Sequence, residues 1–124
     1  MYQLTVERTI SAAHWLRGYP GPCANPHGHT FRILVSVEGE KLNSLGMLMD
    51  FAALKAEMKT LVENKLDHHM LNEVYPFTEL NPTAENLAQV IYHMHWDLPF
   101  GIRVSKVTVY ESDDSCASYW EEKL

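Results

Sequence analysis

His27-Gly28-His29-Thr30-Phe31-Arg32-Ile33-Leu34-Val35-Ser36-Val37-Glu38 alternates in phase over most of its length. Residues two apart in a β-strand point to the same face, so His27, His29, Phe31, Ile33, Val35 and Val37 share one side. Thr30, Arg32, Ser36 and Glu38 fall on the other. The stretch reads as a strand whose apolar face begins with two imidazoles. Upstream, Tyr2, Leu4, Val6, Ile10, Ala12 and His14 share one phase, interrupted by Arg8, against Gln3, Thr5, Glu7, Thr9 and Ser11. If these segments pair antiparallel, the end of the first meets the start of the second, and His14 comes beside His27 and His29. A lone His-x-His is more often a pair of ordinary strand histidines. Three imidazoles in phase on adjoining strands favour a metal instead, and three nitrogen ligands with an open fourth position suit catalytic zinc.

Residues 15–26, which join the two strands, carry Gly18, Pro20, Gly21, Pro22 and Pro26 and predict a long irregular loop of the kind usually kept for function. Cys23 lies in it, four positions before His27. As a fourth ligand it would close a structural site. As a free thiolate beside a divalent cation it would serve as base or nucleophile, and this is the favoured role.

Downstream, Asp50 is placed to cap a helix carrying Phe51, Leu54, Met58, Leu61 and Val62 at helical spacing and ending near Lys65. Thr83 is placed to cap a second, with Glu85 in its first turn and Leu87, Val90, Ile91 and Met94 as its apolar stripe, stopped by Pro99 and Gly101. His93 and His95 fall on that helix about 200° apart, so they cannot chelate one ion together. Strands are expected over Ile102 to Glu111 and around Ala117 to Glu122. The order ββααββ predicts an α+β domain spanning 1–124: a four-stranded antiparallel sheet with two helices on one face, its other face covered by oligomerisation.

With 124 residues and a formal net charge of −6, the chain is short for a site built within one subunit and unsuited to an electrostatic grip on nucleic acid or an anionic membrane. No long apolar run predicts a membrane span and no signal-peptide core is present, so a cytoplasmic protein with Cys23 and Cys116 reduced is expected. Between the helices, Leu66-Asp67-His68-His69-Met70-Leu71-Asn72 places an acid beside a histidine that it could orient toward a thiol; without Cys23 it would read as a loop or cap. Glu111 ends the phase of Val107 and Val109, either as a carboxylate gripping an N–H-rich heterocycle or as an exposed strand end.

Together, Ser11-Ala12-Ala13-His14, Cys23-x-x-x-His27-Gly28-His29, Gly46-Met47-Leu48-Met49-Asp50-Phe51, Leu66-Asp67-His68, Leu71-Asn72, Pro82-Thr83-Ala84-Glu85-Asn86 and Val109-Tyr110-Glu111 resemble the 6-pyruvoyl-tetrahydropterin synthase superfamily, in particular its 6-carboxy-5,6,7,8-tetrahydropterin synthase branch. The resemblance implies a tunnelling fold assembled as a trimer or hexamer with sites at subunit boundaries. It implies Zn2+ on His14, His27 and His29, catalytic Cys23, Asp67 and His68, and Glu111 anchoring a pterin. The implied activity is a lyase reaction on 7,8-dihydroneopterin triphosphate that releases acetaldehyde and triphosphate in queuosine biosynthesis. The pyruvoyl branch eliminates triphosphate without losing the two-carbon fragment. A folate-linked branch carries glutamate where Cys23 stands, and Thr30-Phe31 replaces an Asn-Tyr often found there. Arg8, Arg17 and Arg32 are the cations in the relevant half of the chain. Outside the family, a zinc hydrolase would need no essential thiol, and a zinc-binding structural module would have Cys23 as its fourth ligand.

Overall fold

The computed structural model describes residues 1–122; the last two positions of the expected 1–124 domain lie outside them. The long alternating stretches form strands β1 (Tyr2–His14) and β2 (His27–Gly39), followed by helix α1 (Phe51–Met58), a π-helical segment (Lys59–Glu63), the short α2 (Asn64–Leu66), α3 (Ala84–Tyr92) and strands β3 (Arg103–Ser112) and β4 (Ser115–Tyr119). Short 3-10 turns at Pro22–Ala24 and Leu71–Glu73 interrupt the connections. The sheet runs β1-β2-β3-β4, each neighbour antiparallel. β1 and β2 pair without a break from Tyr2↔Gly39 to His14↔His27.

Both helical runs pack on the sheet face carrying Val6, Ile10, Phe31, Ile33, Val35 and Val37, and Leu54, Met58, Val62, Leu66, Leu87 and Ile91 close the core against it. The expected caps are present: Asp50 accepts a hydrogen bond from Ala52 N and Thr83 from Asn86 N, each satisfying a helix N–H that has no intrahelical partner. On β3 a bulge opposite Ser36/Val37 inserts Ser105, so that Val104 returns to the core face shared by Val107 and Val109.

Two expectations, the bounds of α3 and of β4, are corrected. α3 ends at Tyr92, with His93 as its C-cap and His95 beyond it, well before Pro99. The Trp96 indole N–H donates to Ile91 O at 2.9 Å and occupies a carbonyl that another turn would have used. β4 begins at Ser115 and stops at Tyr119. The sheet face away from the helices is polar: Thr5 bonds Ser36 at 2.7 Å, Thr108 bonds Ser118 at 2.7 Å, and Arg32 pairs with Glu7 at 3.1 Å. The unpaired backbone lies along the outer edges of β1 and β4. No helix among the described residues is long and apolar enough to cross a membrane.

Candidate functional site

The β1–β2 register sets His14 opposite His27 and Ala12 opposite His29. The three rings meet edge to face with centroids 4.6, 5.0 and 4.8 Å apart. His14 Nδ1–H donates to the Pro82 carbonyl and His27 Nδ1–H to the Asn25 carbonyl, each at 2.7 Å. A carbonyl only accepts, so these bonds fix the tautomer that leaves Nε2 as the lone-pair nitrogen. The Nε2 atoms of His14, His27 and His29 are all buried without a hydrogen-bond partner. Three converging, unsatisfied ring nitrogens, those of His14 and His27 fixed as acceptors, are costly unless a cation sits among them.

Glu111 completes the group. Its Oε1 lies 3.2 Å from His29 Nε2, close enough for an ion pair but without hydrogen-bond alignment, and the four donor atoms all lie within 4.8 Å of one another. Burial holds the His14 pKa below its ordinary value; the Pro82 bond and nearby Glu111 work against that shift, while His27 and His29 add to it. The neutral imidazole favoured in this way is the ligating form. Three imidazole nitrogens with a carboxylate oxygen nearby could hold a divalent metal ion. Glu111 is half-buried against His29, which removes the exposed strand end as an account of it.

Cys23 sits in the Pro22–Ala24 turn, partly buried as a free thiol, and its sulfur is not among the converging donors. The group nearest the histidines is the Glu111 carboxylate. Asp67 and His68 form a separate pair: His68 Nδ1 lies 3.0 Å from Asp67 Oδ2, and Asp67 Oδ1 accepts from Ser11 N at 2.8 Å. The Ser11 bond, ahead of the His68 bonds, holds the Asp67 carboxyl below the usual carboxylate range. His68 adopts φ 58, a left-handed conformation rare for a residue with a side chain. Its ring is 81% exposed. An open depression lined by Ser11, Gly28, His29, Thr30, His68 and Met70 runs between this pair and the histidine cluster.

The remaining candidates are tied down elsewhere. Arg8 pairs with Glu63 at 2.7 Å, Arg32 pairs with Glu7 and stacks on Tyr110, and Arg17 donates to the Phe77 and Leu80 carbonyls. His93 contacts Glu121 at 2.9 Å at the C-terminal end of α3, and His69 bonds the Asp67 carbonyl. The Pro82 carbonyl had no signature in the sequence as a histidine-orienting group, because its role depends on the connection before α3 meeting the end of β1, 68 residues away.

The sequence profile described as 6-pyruvoyl tetrahydropterin synthase matches residues 3–122. A Synechocystis protein named 6-carboxy-5,6,7,8-tetrahydropterin synthase is 35% identical over all of this chain and 97% of its own length. A Haemophilus influenzae protein of the same name is 34% identical over 98% of this chain and 100% of its own. The human 6-pyruvoyl tetrahydrobiopterin synthase is 38% identical over 80% of this chain and 70% of its own length. The structure of Caenorhabditis elegans 6-pyruvoyl tetrahydropterin synthase superposes with a TM-score of 0.82 at 29% identity, covering 98% of both chains. On the match across nearly its full length and the shared fold, the chain belongs to the 6-pyruvoyl tetrahydropterin synthase family.

Proposed function

We propose that the protein is a zinc-dependent 6-carboxy-5,6,7,8-tetrahydropterin synthase, a cytoplasmic lyase of queuosine biosynthesis built from one domain and acting as a homo-oligomer. Its reaction converts 7,8-dihydroneopterin triphosphate to 6-carboxytetrahydropterin with release of acetaldehyde and triphosphate. The observation that carries this is the convergence of His14, His27 and His29 through three unsatisfied Nε2 atoms. The branch is favoured by the Synechocystis and Haemophilus influenzae relatives of that name, which match at 35% and 34% identity over 97% and 100% of their own length.

Bound zinc supplies Lewis acidity toward side-chain hydroxyls. Cys23 acts as the base that moves a proton between ring carbon and side chain, and His68, oriented by Asp67 Oδ2, exchanges the second proton. Glu111 grips the amino-pyrimidinone edge of the pterin through paired charge-assisted hydrogen bonds. Arg8, Arg17 and Arg32 each already hold a carboxylate or a carbonyl of the same chain through part of their guanidinium. The exposed His68 ring reaches a thiol across a subunit boundary.

Incubating the zinc-loaded protein with 7,8-dihydroneopterin triphosphate and identifying products by mass tests the proposal. Acetaldehyde with 6-carboxytetrahydropterin is expected. The pyruvoyl product without acetaldehyde assigns the second reading, which the 38% identity to the human protein favours. Cys23→Ala is expected to keep its zinc and lose about 10²–10⁴ in rate, the usual contribution of an acid–base group; zinc lost in step with activity makes Cys23 a ligand.

A further inference from the structure

Past His14, β1 has no neighbouring strand, yet its backbone stays laced on both sides. Trp15 N–H donates to Asn72 Oδ1 and the Trp15 carbonyl accepts from Asn72 Nδ2, both at 2.9 Å. Two residues on, Asn81 repeats the pattern: Arg17 N–H donates to Asn81 Oδ1 at 2.8 Å, and Asn81 Nδ2 donates to the Arg17 carbonyl at 3.0 Å. Between them, on the opposite side, Leu16 N–H donates to the Cys23 carbonyl at 2.8 Å. This alternation is that of a strand between two partners. Primary amides take the place of the missing strand because each offers the carbonyl and N–H of a peptide group.

The two asparagines are themselves held. Asn72 is buried, and the Asn81 carbonyl accepts from Asn86 Nδ2 at 2.8 Å beside the Thr83 cap. The same edge also carries the Asp67–His68 pair, since His68 N–H donates to the Ser11 carbonyl and Ala13 N–H to the His69 carbonyl. Successive edge positions 11, 13, 15 and 17 are therefore met by Asp67 and His68, His69, Asn72 and Asn81. Without the amides, a loop containing Gly18 and Gly21 has nothing on that side to keep residues 15–17 extended.

We infer that Asn72 and Asn81 are the positioning residues of Cys23: they hold Trp15 to Arg17 as a pseudo-strand, and the Leu16–Cys23 bond transmits that position to the thiol-bearing turn. The catalytic consequence rests on the proposed role of Cys23. Asn72→Ala and Asn81→Ala are compared with Cys23→Ala by hydrogen–deuterium exchange, zinc content, kcat and KM. Loss of a net hydrogen bond or two predicts about tenfold faster exchange in peptides covering Leu16 and a kcat lower by about the same factor. Exchange in β2, zinc content and KM are expected to stay as in the wild type. Asn81 is only partly buried, so its variant stays informative if Asn72→Ala fails to fold.

Wild-type exchange at Leu16 in folded variants overturns the inference, as does loosening spread equally over β2. Wild-type kcat in both asparagine variants while Cys23→Ala is slow also overturns it. If Cys23→Ala itself turns over at the wild-type rate, the thiol's role fails instead, and exchange at Leu16 alone decides whether the asparagines hold the turn.

Discussion

Two of the three clustered histidines spend Nδ1 on a backbone carbonyl, which leaves Nε2 no use but as an acceptor. His27→Ala is therefore expected to empty the zinc site, as measured by metal analysis of the purified protein. His93→Ala and His95→Ala are expected to leave zinc unchanged, because His93 is engaged by Glu121 away from the cluster and His95 is exposed. Full zinc in His27→Ala would remove that residue from the ligand set. Glu111 is the residue with two claims on it, a pterin edge and the position 3.2 Å from His29 Nε2. Glu111→Gln keeps the shape but exchanges an acceptor for a donor, and titration with a pterin product should show roughly tenfold to a hundredfold weaker binding. Its zinc content should hold, since the three imidazoles remain. Wild-type pterin affinity combined with lost zinc would give the carboxylate to the metal instead.

The helical run after Asp50 buries Leu54, Met58, Val62 and Leu66, a strict spacing of four. Each such step overshoots an α-helical turn by about 40°, and the wider π-helical turn at Lys59–Glu63 recovers the drift and keeps all four on the core. The run thereby delivers Asp67 to the edge of β1, where its carboxylate accepts from Ser11 N. Because the folded state holds this carboxyl below its ordinary value of 3.8, its stabilisation is complete above that value and is lost as pH falls through the depressed one. Acid titration followed by amide exchange at Ser11 should show the 67–70 segment releasing β1 in that acidic window. Asp67→Asn, which has no charge to lose, should flatten the dependence. An unchanged acid profile in the Asn variant would show that Asp67 is not the responsible group.

β1 from Gln3 to Thr9 and the outer side of β4 leave ladder groups unpaired, the kind of edge that natural sheets cover or pair. Pairing β1 of one copy with β4 of the next removes both edges and fits the expected closed assembly. Mixing Cys23→Ala with His68→Ala chains under conditions of subunit exchange should restore activity, because one class of boundary recovers both intact groups. No recovery after exchange has been verified by mass would mean that thiol and imidazole are not shared between chains.

Period-two patterning put the imidazoles of His14, His27 and His29 on the core side of adjoining strands before any contact was known, and Asp50 and Thr83 announced their helices. These features depend on side-chain direction two residues apart and on groups within three residues of a helix start, so neighbouring residues specify them. Other features had no local trace. Phe77 is fully buried from within an irregular connection, Ser105 bulges to restore the phase of Val104, and Trp96 ends α3 by reaching back to Ile91. Asn72 and Asn81 read as loop asparagines until they meet backbone 57 and 64 residues away. The approach of Glu111 to His29 likewise depends on β3 joining β2. Such contacts form where separately specified elements pack, and packing is selected by the shape and hydrogen-bond satisfaction of the whole core, to which no single window of sequence has access.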